Sequence, residues 1–239
     1  MKKFSVAALF ALALISLNAC RKVIGEGPVV TETRSTGEFL GIKFEVPGEM
    51  VYIPGDGYKV EISAQQNIIN IIETAIVNHE LKVRVRNNIN LRSHEEIKVT
   101  VTAPPVLSLG LAGSAKISVL QPFSPENINL SISGSGNIFI NEINTDHLDA
   151  NISGSGRIEI LRGSANMEDF TISGSGEIET LGFPAKKAHT QISGSGNIRV
   201  KVSDELNSKI SGSGSVYYLG SPVVNSSVSG SGKVVQLQD

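Results

Sequence analysis

Apolar and polar side chains alternate through much of the chain, and the alternation is cleanest around one short phrase. Through Ile152, Ile158 and Ile160, through Phe170, Ile172 and Ile178, and through Val228, Val234 and the nearby Leu237, apolar residues flank Ser-Gly-Ser-Gly at strand spacing. Period two buries one face of an extended strand and leaves the other wet. In that register Gly154 and Gly156 share the inward parity of the isoleucines, while Ser153 and Ser155 point outward. An inward glycine lets a wall pinch or, through positive φ, turn a corner, and the sequence leaves both open.

The phrase recurs. Ile-Ser-Gly-Ser-Gly begins at Ile132, Ile152, Ile172, Ile192 and Ile210, and Val-Ser-Gly-Ser-Gly at Val228, in steps of 20, 20, 20, 18 and 18 residues. A degenerate copy, Leu111 to Ala115, lies 21 residues before the first. Each repeat supplies about two short strands and a corner, too little to close a core alone, so equivalent strands must stack in parallel. Seven coils about 4.8 Å apart would span roughly 34 Å. Parallel crossovers are right-handed almost without exception. The expected fold is therefore all-β, a right-handed parallel β-solenoid over residues 106–239.

Ahead of the repeats, residues 29–105 form a strand-rich region expected to cap one solenoid end, where unpaired strand groups invite aggregation. Lys59 to Ser63, Leu81 to Val85 and Ile97 to Thr102 alternate as strands, and Pro54-Gly55-Asp56-Gly57 and Asn78-His79 read as turns. Asn67 to Thr74, with Ile68, Ile71 and Ile72 at helical spacing, predicts one short helix. Pro104-Pro105 then marks the boundary.

The N-terminus has a different pattern. Lys2 and Lys3 precede a run from Phe4 to Leu17 interrupted only by Ser5 and Ser16, shorter than the roughly 20 residues a span requires, and this is the signature of a signal peptide over residues 1–19. It ends Leu17-Asn18-Ala19-Cys20, which resembles the lipobox of bacterial lipoproteins, and Cys20 is the chain's single cysteine. The expectation is acylation of Cys20 and a membrane partner reached through lipid, with residues 20–28 as a tether. Arg21 and Lys22 follow in place of a retaining aspartate, favouring the outer membrane, with the periplasmic and surface faces both open.

Composition narrows the chemistry. There are 21 basic and 23 acidic side chains, or 19 against 23 once Lys2 and Lys3 leave with the leader, so nothing points to nucleic acid. Stacked repeats turn equivalent positions into columns, and a site should appear as one. The outward serines Ser133, Ser153, Ser173, Ser193, Ser211 and Ser229, with Ser135, Ser155, Ser175, Ser195, Ser213 and Ser231 beside them, form a candidate surface ladder for a glycan or protein ligand; the alternative is small polar residues suited to a crowded turn. No histidine or acid recurs beside them to activate a nucleophile. A second candidate, for a cation or ligand, is the column Glu159, Glu179 and Arg199, with Arg157 and Glu177 alongside. There the two glutamates repel unless a cation or an arginine intervenes. His79, His94, His147 and His189 show no ligand spacing, and Tyr217 is a weak stacking candidate. No cofactor, metal or catalytic residue is expected.

The leader and lipobox, the stretch from Phe39-Leu40-Gly41-Ile42 through Ile97-Lys98-Val99-Thr100-Val101-Thr102-Ala103-Pro104, and the repeated Ser-Gly-Ser-Gly strands together resemble the putative auto-transporter adhesin, head GIN domain family of Bacteroidetes-type bacteria. The likeness runs from about Gly37 to Val235. It implies a parallel β-helix and an adhesin's role, and carries over no catalytic residue. Many relatives place alanine between the two glycines and aspartate after the second. Here the middle residue is serine, followed by Asn137, Arg157, Glu177, Asn197, Ser215 and Lys233. The leading expectation is a non-catalytic adhesin or envelope-interaction module. A polysaccharide lyase or hydrolase built on the Glu159 and Glu179 column, and a structural envelope protein that self-associates as a homo-oligomer through a solenoid end, are the alternatives.

Overall fold

The computed structural model describes residues 21–238. In chain order its elements are β1 (Arg21–Val23), β2 (Val29–Ser35), β3 (Gly41–Glu45), β4 (Glu49–Pro54), β5 (Lys59–Gln65), α1 (Gln66–Ile69), β6 (Ile72–Val77), β7 (Glu80–Val85) and β8 (Ile89–Leu91). Next come β9 (Lys98–Ala103), β10 (Ser108–Gly113), β11 (Lys116–Val119), β12 (Asn127–Gly134), β13 (Asn137–Ile140), β14 (Ile143–Asn144), β15 (His147–Gly154) and β16 (Arg157–Ile160). The last six are β17 (Gly163–Gly174), β18 (Glu177–Gly194), β19 (Asn197–Gly212), β20 (Ser215–Leu219), β21 (Val223–Gly230) and β22 (Lys233–Gln236).

These strands build a β-solenoid with two long parallel walls. The first wall stacks β7, β3, β10, β12 and β15, then the C-terminal parts of β17, β18 and β19, then β21. The second stacks β9, β4, β11, β13 and β16, then the N-terminal parts of β18 and β19, then β20 and β22. A short third side closes the coil where Ile143 meets Gly163 and where Ala165, Ala185 and Val202 stand in register. Ile132, Ile152, Ile172, Ile192 and Ile210 are buried and in register, as strand parity requires.

Both roles left open for the glycines occur, one at each. Gly154 takes φ of 131° and turns the corner, whereas Gly156 is buried and narrows the coil. A Cβ on Gly156 would lie 2.7 Å from Ile132 Cγ2 of the preceding coil. Backbone bonds run through the corner, from Ser155 N–H to the Gly134 carbonyl at 2.9 Å and from Arg157 N–H to that of Gly136 at 3.1 Å.

The N-terminal region extends the same walls before it caps them. In space β3 and β4 lie between the coil of β7 and β9 and the coil of β10 and β11, so chain order and stacking order differ. Beyond this, β6 runs antiparallel to β7, β5 antiparallel to β9, and β2 antiparallel to β5. The helix is shorter than the sequence pattern suggests. Arg34 donates to the carbonyls of Ile69 and Ile72 at 3.2 and 2.8 Å, and the chain enters β6 at Ile72 because it pairs there with Val85 of β7. Ile68 and Ile69 of α1 are fully buried and plug the core at this end. The Asn78 and His79 turn has φ of 53° and 61° and joins β6 to β7 as a tight hairpin.

Candidate functional site

The two walls present different outer surfaces. On the first, Ser133, Ser153, Ser173, Ser193, Ser211 and Ser229 stand in one register, every one exposed. Two further outward columns run beside them. One is Asn129, Asp149, Asp169, His189, Asn207 and Asn225; the other is Ser131, Asn151, Thr171, Gln191, Lys209 and Ser227. The serine ladder is thus the margin of a broader polar sheet, mostly amides and hydroxyls, with Asp149, Asp169, His189 and Lys209 among them. A shallow groove of about 460 Å³ lies on it, lined among others by Asp169, His189, Gln191, Asn207, Lys209 and Asn225. Asn225 Nδ2 donates to Asn207 Oδ1 at 3.1 Å, an amide-to-amide link between successive coils.

Stacking also gathers histidines that are far apart in sequence. Asp169 receives His147 Nε2 at 3.2 Å on one carboxylate oxygen and meets His189 Nδ1 at 3.1 Å on the other. Asp149, one coil before Asp169, is held above the usual carboxylate range by burial first and by the Asp169 charge second. For His189 the signal lies in the sequence, because Asp149, Asp169 and His189 follow one another at the 20-residue period, whereas His147, in register with Met167, reaches Asp169 diagonally. Among the described residues, no three His, Cys, Asp or Glu side chains are placed to hold a metal ion.

The second wall carries the acidic column, and arginines intervene there. Arg157 pairs with Glu177 and lies 3.5 Å from Glu159, while Arg199 pairs with Glu177 and lies 3.5 Å from Glu179. Burial raises the Glu179 carboxyl above its ordinary range, with Arg199 pulling the other way. Arg199 also sits over the Tyr217 ring, 5.3 Å from its centre, which uses the one tyrosine offered for sugar stacking. Glu159, Glu177 and Glu179 each already have a guanidinium partner.

One inward residue was not singled out in the sequence. Glu168 shares the inward parity of Phe170 and Ile172, which marks it, and it is completely buried between Leu148 and Ala188 in register. At the other end of the chain, Cys20 and residues 1–19, read from the sequence as a signal peptide, lie outside the described residues. Arg21 to Val23, inside the stretch read as tether, form β1 and pair in parallel with β8. Gly25 N–H then donates to the Ser93 carbonyl at 2.9 Å, and Asn67 Nδ2 to the Ile24 carbonyl at 2.7 Å. Among the described residues no helix is long and apolar enough to cross a membrane.

Known proteins agree with this architecture. A putative adhesin of Bacteroides fragilis is 22% identical, with 90% of this chain and 100% of that one aligned at a TM-score of 0.85. A putative lipid binding protein of Parabacteroides distasonis is 23% identical over 91% of this chain and 100% of its own, at 0.79. A putative adhesin of Parabacteroides merdae is 24% identical over the same shares, 91% and 100%, at 0.75. At these identities the likeness establishes the fold alone. No curated protein matches. The model of one family does match, over residues 38–222, and the chain belongs to it: the family described as putative auto-transporter adhesin, head GIN domain.

Proposed function

We propose that this protein is a non-catalytic adhesion module of the cell envelope, held to the outer membrane by acylated Cys20, and that the outer face of the first wall is its binding surface. The observation that carries this reading is the continuous polar field on that wall, mostly amide and hydroxyl side chains with Asp149, Asp169, His189 and Lys209 among them, and the 460 Å³ groove set into it. Such groups exchange hydrogen bonds with a polar ligand such as a glycan, and neighbouring coils repeat them along the axis. The second wall supports the non-catalytic part, since its carboxylates are engaged by arginines rather than free to transfer protons. The adhesin names of the family and of two structural neighbours point the same way.

The test is binding of the mature domain to a glycan array and to immobilised matrix proteins, repeated with the paired substitution Gln191→Ala and Asn207→Ala. Specific binding that falls about tenfold or more in the variant is expected, one to two hydrogen-bonding groups being lost. Absence of binding at high concentration to every surface, or binding indifferent to the substitutions, would reject the proposal. The anchor has its own assay. The full chain expressed with its leader should partition into detergent, and Cys20→Ser should release it to the aqueous phase; equal partitioning of both would remove the anchor.

A further inference from the structure

The interior of the solenoid is not uniform along its axis. In β12 and β15 every inward side chain is apolar: Ile128, Leu130 and Ile132, then Leu148, Ala150 and Ile152. From β17 onward polar groups enter, with Glu168 in β17, Thr180 and Thr190 in β18 and Ser208 in β19, none more than 5% exposed. Among the described residues both Glu168 carboxyl oxygens, Thr190 Oγ1 and Ser208 Oγ are enclosed without a hydrogen-bond partner. Thr180 lies beside Glu168, yet its hydroxyl donates to the Arg199 carbonyl at 3.2 Å.

We propose that Glu168 is a protonation-gated lock, in which the coils close around the neutral acid and its ionisation frees the C-terminal coils, from β18 through β22, while leaving the earlier coils intact. An ionised carboxylate without a cation cannot be accommodated in such a place at modest cost. Among the described residues no cation pairs with it. Its register neighbours Leu148 and Ala188 are apolar, and the titratable groups nearest along the chain face outward on the same wall, namely Asp149, Asp169, His147, His189 and Lys187. On the opposite wall Arg157, Glu177, Glu179 and Arg199 face outward too, engaged with one another. Burial accordingly drives the carboxyl well above its ordinary range, against a smaller opposing influence of Thr180.

The direction of opening follows from the surroundings. In a solenoid each coil is held mainly by its neighbours, so unfolding begins where interfaces are weakest. Toward β15 the ionised acid would meet wholly apolar coils. Toward β19 its own column continues through Ala188 and Leu206, but the inward column beside it carries Thr190 and Ser208, and the last strand of this wall among the described residues leaves Val223 and Val228 67% and 42% exposed. Because the folded-state acid holds its proton more tightly than the unfolded one, its contribution is fully present below the ordinary carboxylate range. That contribution is lost as pH rises through the elevated folded value.

Hydrogen exchange resolved by segment tests this between about pH 6 and about pH 9, after correction for intrinsic rates, a window in which exposed carboxylates are ionised and lysines still charged. In the natural protein residues 187–236 should lose protection at least tenfold as pH rises, with residues 108–160 little changed, and Glu168→Gln should abolish the difference. Should that variant fold poorly, Glu168→Leu serves in its place. An infrared carboxylic-acid band present in the natural protein at neutral pH and missing from either variant reads the proton directly. Equal pH response in natural and variant proteins, loss spread evenly over all coils, or no such band would overturn the proposal.

Discussion

A methyl group added to the first glycine of a corner and one added to the second meet different obstacles. At Gly154 the backbone has φ of 131° and a Cβ would press on the Gly134 carbonyl oxygen, so Gly154→Ala suffers both backbone strain and a backbone clash. About 2 to 4 kcal/mol of destabilisation is expected. At Gly156 the backbone is unremarkable, and a Cβ meets Ile132 Cγ2 at 2.7 Å and the Gly136 carbonyl at 2.6 Å, which suggests about 1 to 3 kcal/mol. Gly27, with φ of 78° and open space around a Cβ, isolates the conformational part at about 1 kcal/mol. Urea unfolding of the three alanine variants orders them, and a Gly27 variant as damaging as the Gly154 one would refute this account of the corner. Parity in the sequence put both glycines inside, but not which one bends. That depends on the distance to the coil beneath, a tertiary quantity.

At the scale of elements, strand-to-strand pairing within the repeats was legible because period and parity repeat together, so Ile152 could only stack on Ile132 and under Ile172. The place of β3 and β4 was not. Nothing local distinguishes Ile42 paired with Leu81 and Leu109 from Ile42 paired with any other buried strand, and the chain doubles back from β4 to β7 before resuming at β10. The period sets His189 beside Asp169, whereas His147, in register with Met167, reaches Asp169 on a diagonal that the period alone does not specify. Pairing also sets what each coil contributes. Removing residues 221–239 takes away the strands stacked on Leu206, Ile210 and Val216, all buried, so the urea midpoint should fall. Removing residues 203–239 takes away a second coil and uncovers Thr190, Ile192, Ile198 and Val200, all buried, and should lower the midpoint further. Equal shifts for the two truncations would mean that the last coil is held by something other than this stacking.

For the whole molecule, the fixed N-terminal end and the proposed anchor combine into a statement about height. If Cys20 carries acyl chains, a single peptide step of about 3.8 Å separates it from β1, which is pinned by β8 and followed by a loop fastened through Ser93 and Asn67. Among the described residues nothing there would serve as a long leash, and on that anchor the end closed by α1 and β2 would be held close to the headgroups. From β7 to β21 the first wall stacks nine strands among the described residues, a rise of about 38 Å at 4.8 Å per step. Cys20 is the chain's one cysteine and would be consumed by the lipid, so Ser93→Cys and Ser229→Cys each give a single labelling site. On vesicles, a fluorophore at position 93 should be strongly quenched by headgroup-attached quenchers, and one at position 229 far less. Equal quenching at both positions would show the solenoid lying flat or moving freely on the membrane, whereas no association of either labelled protein with vesicles would count against the anchor itself.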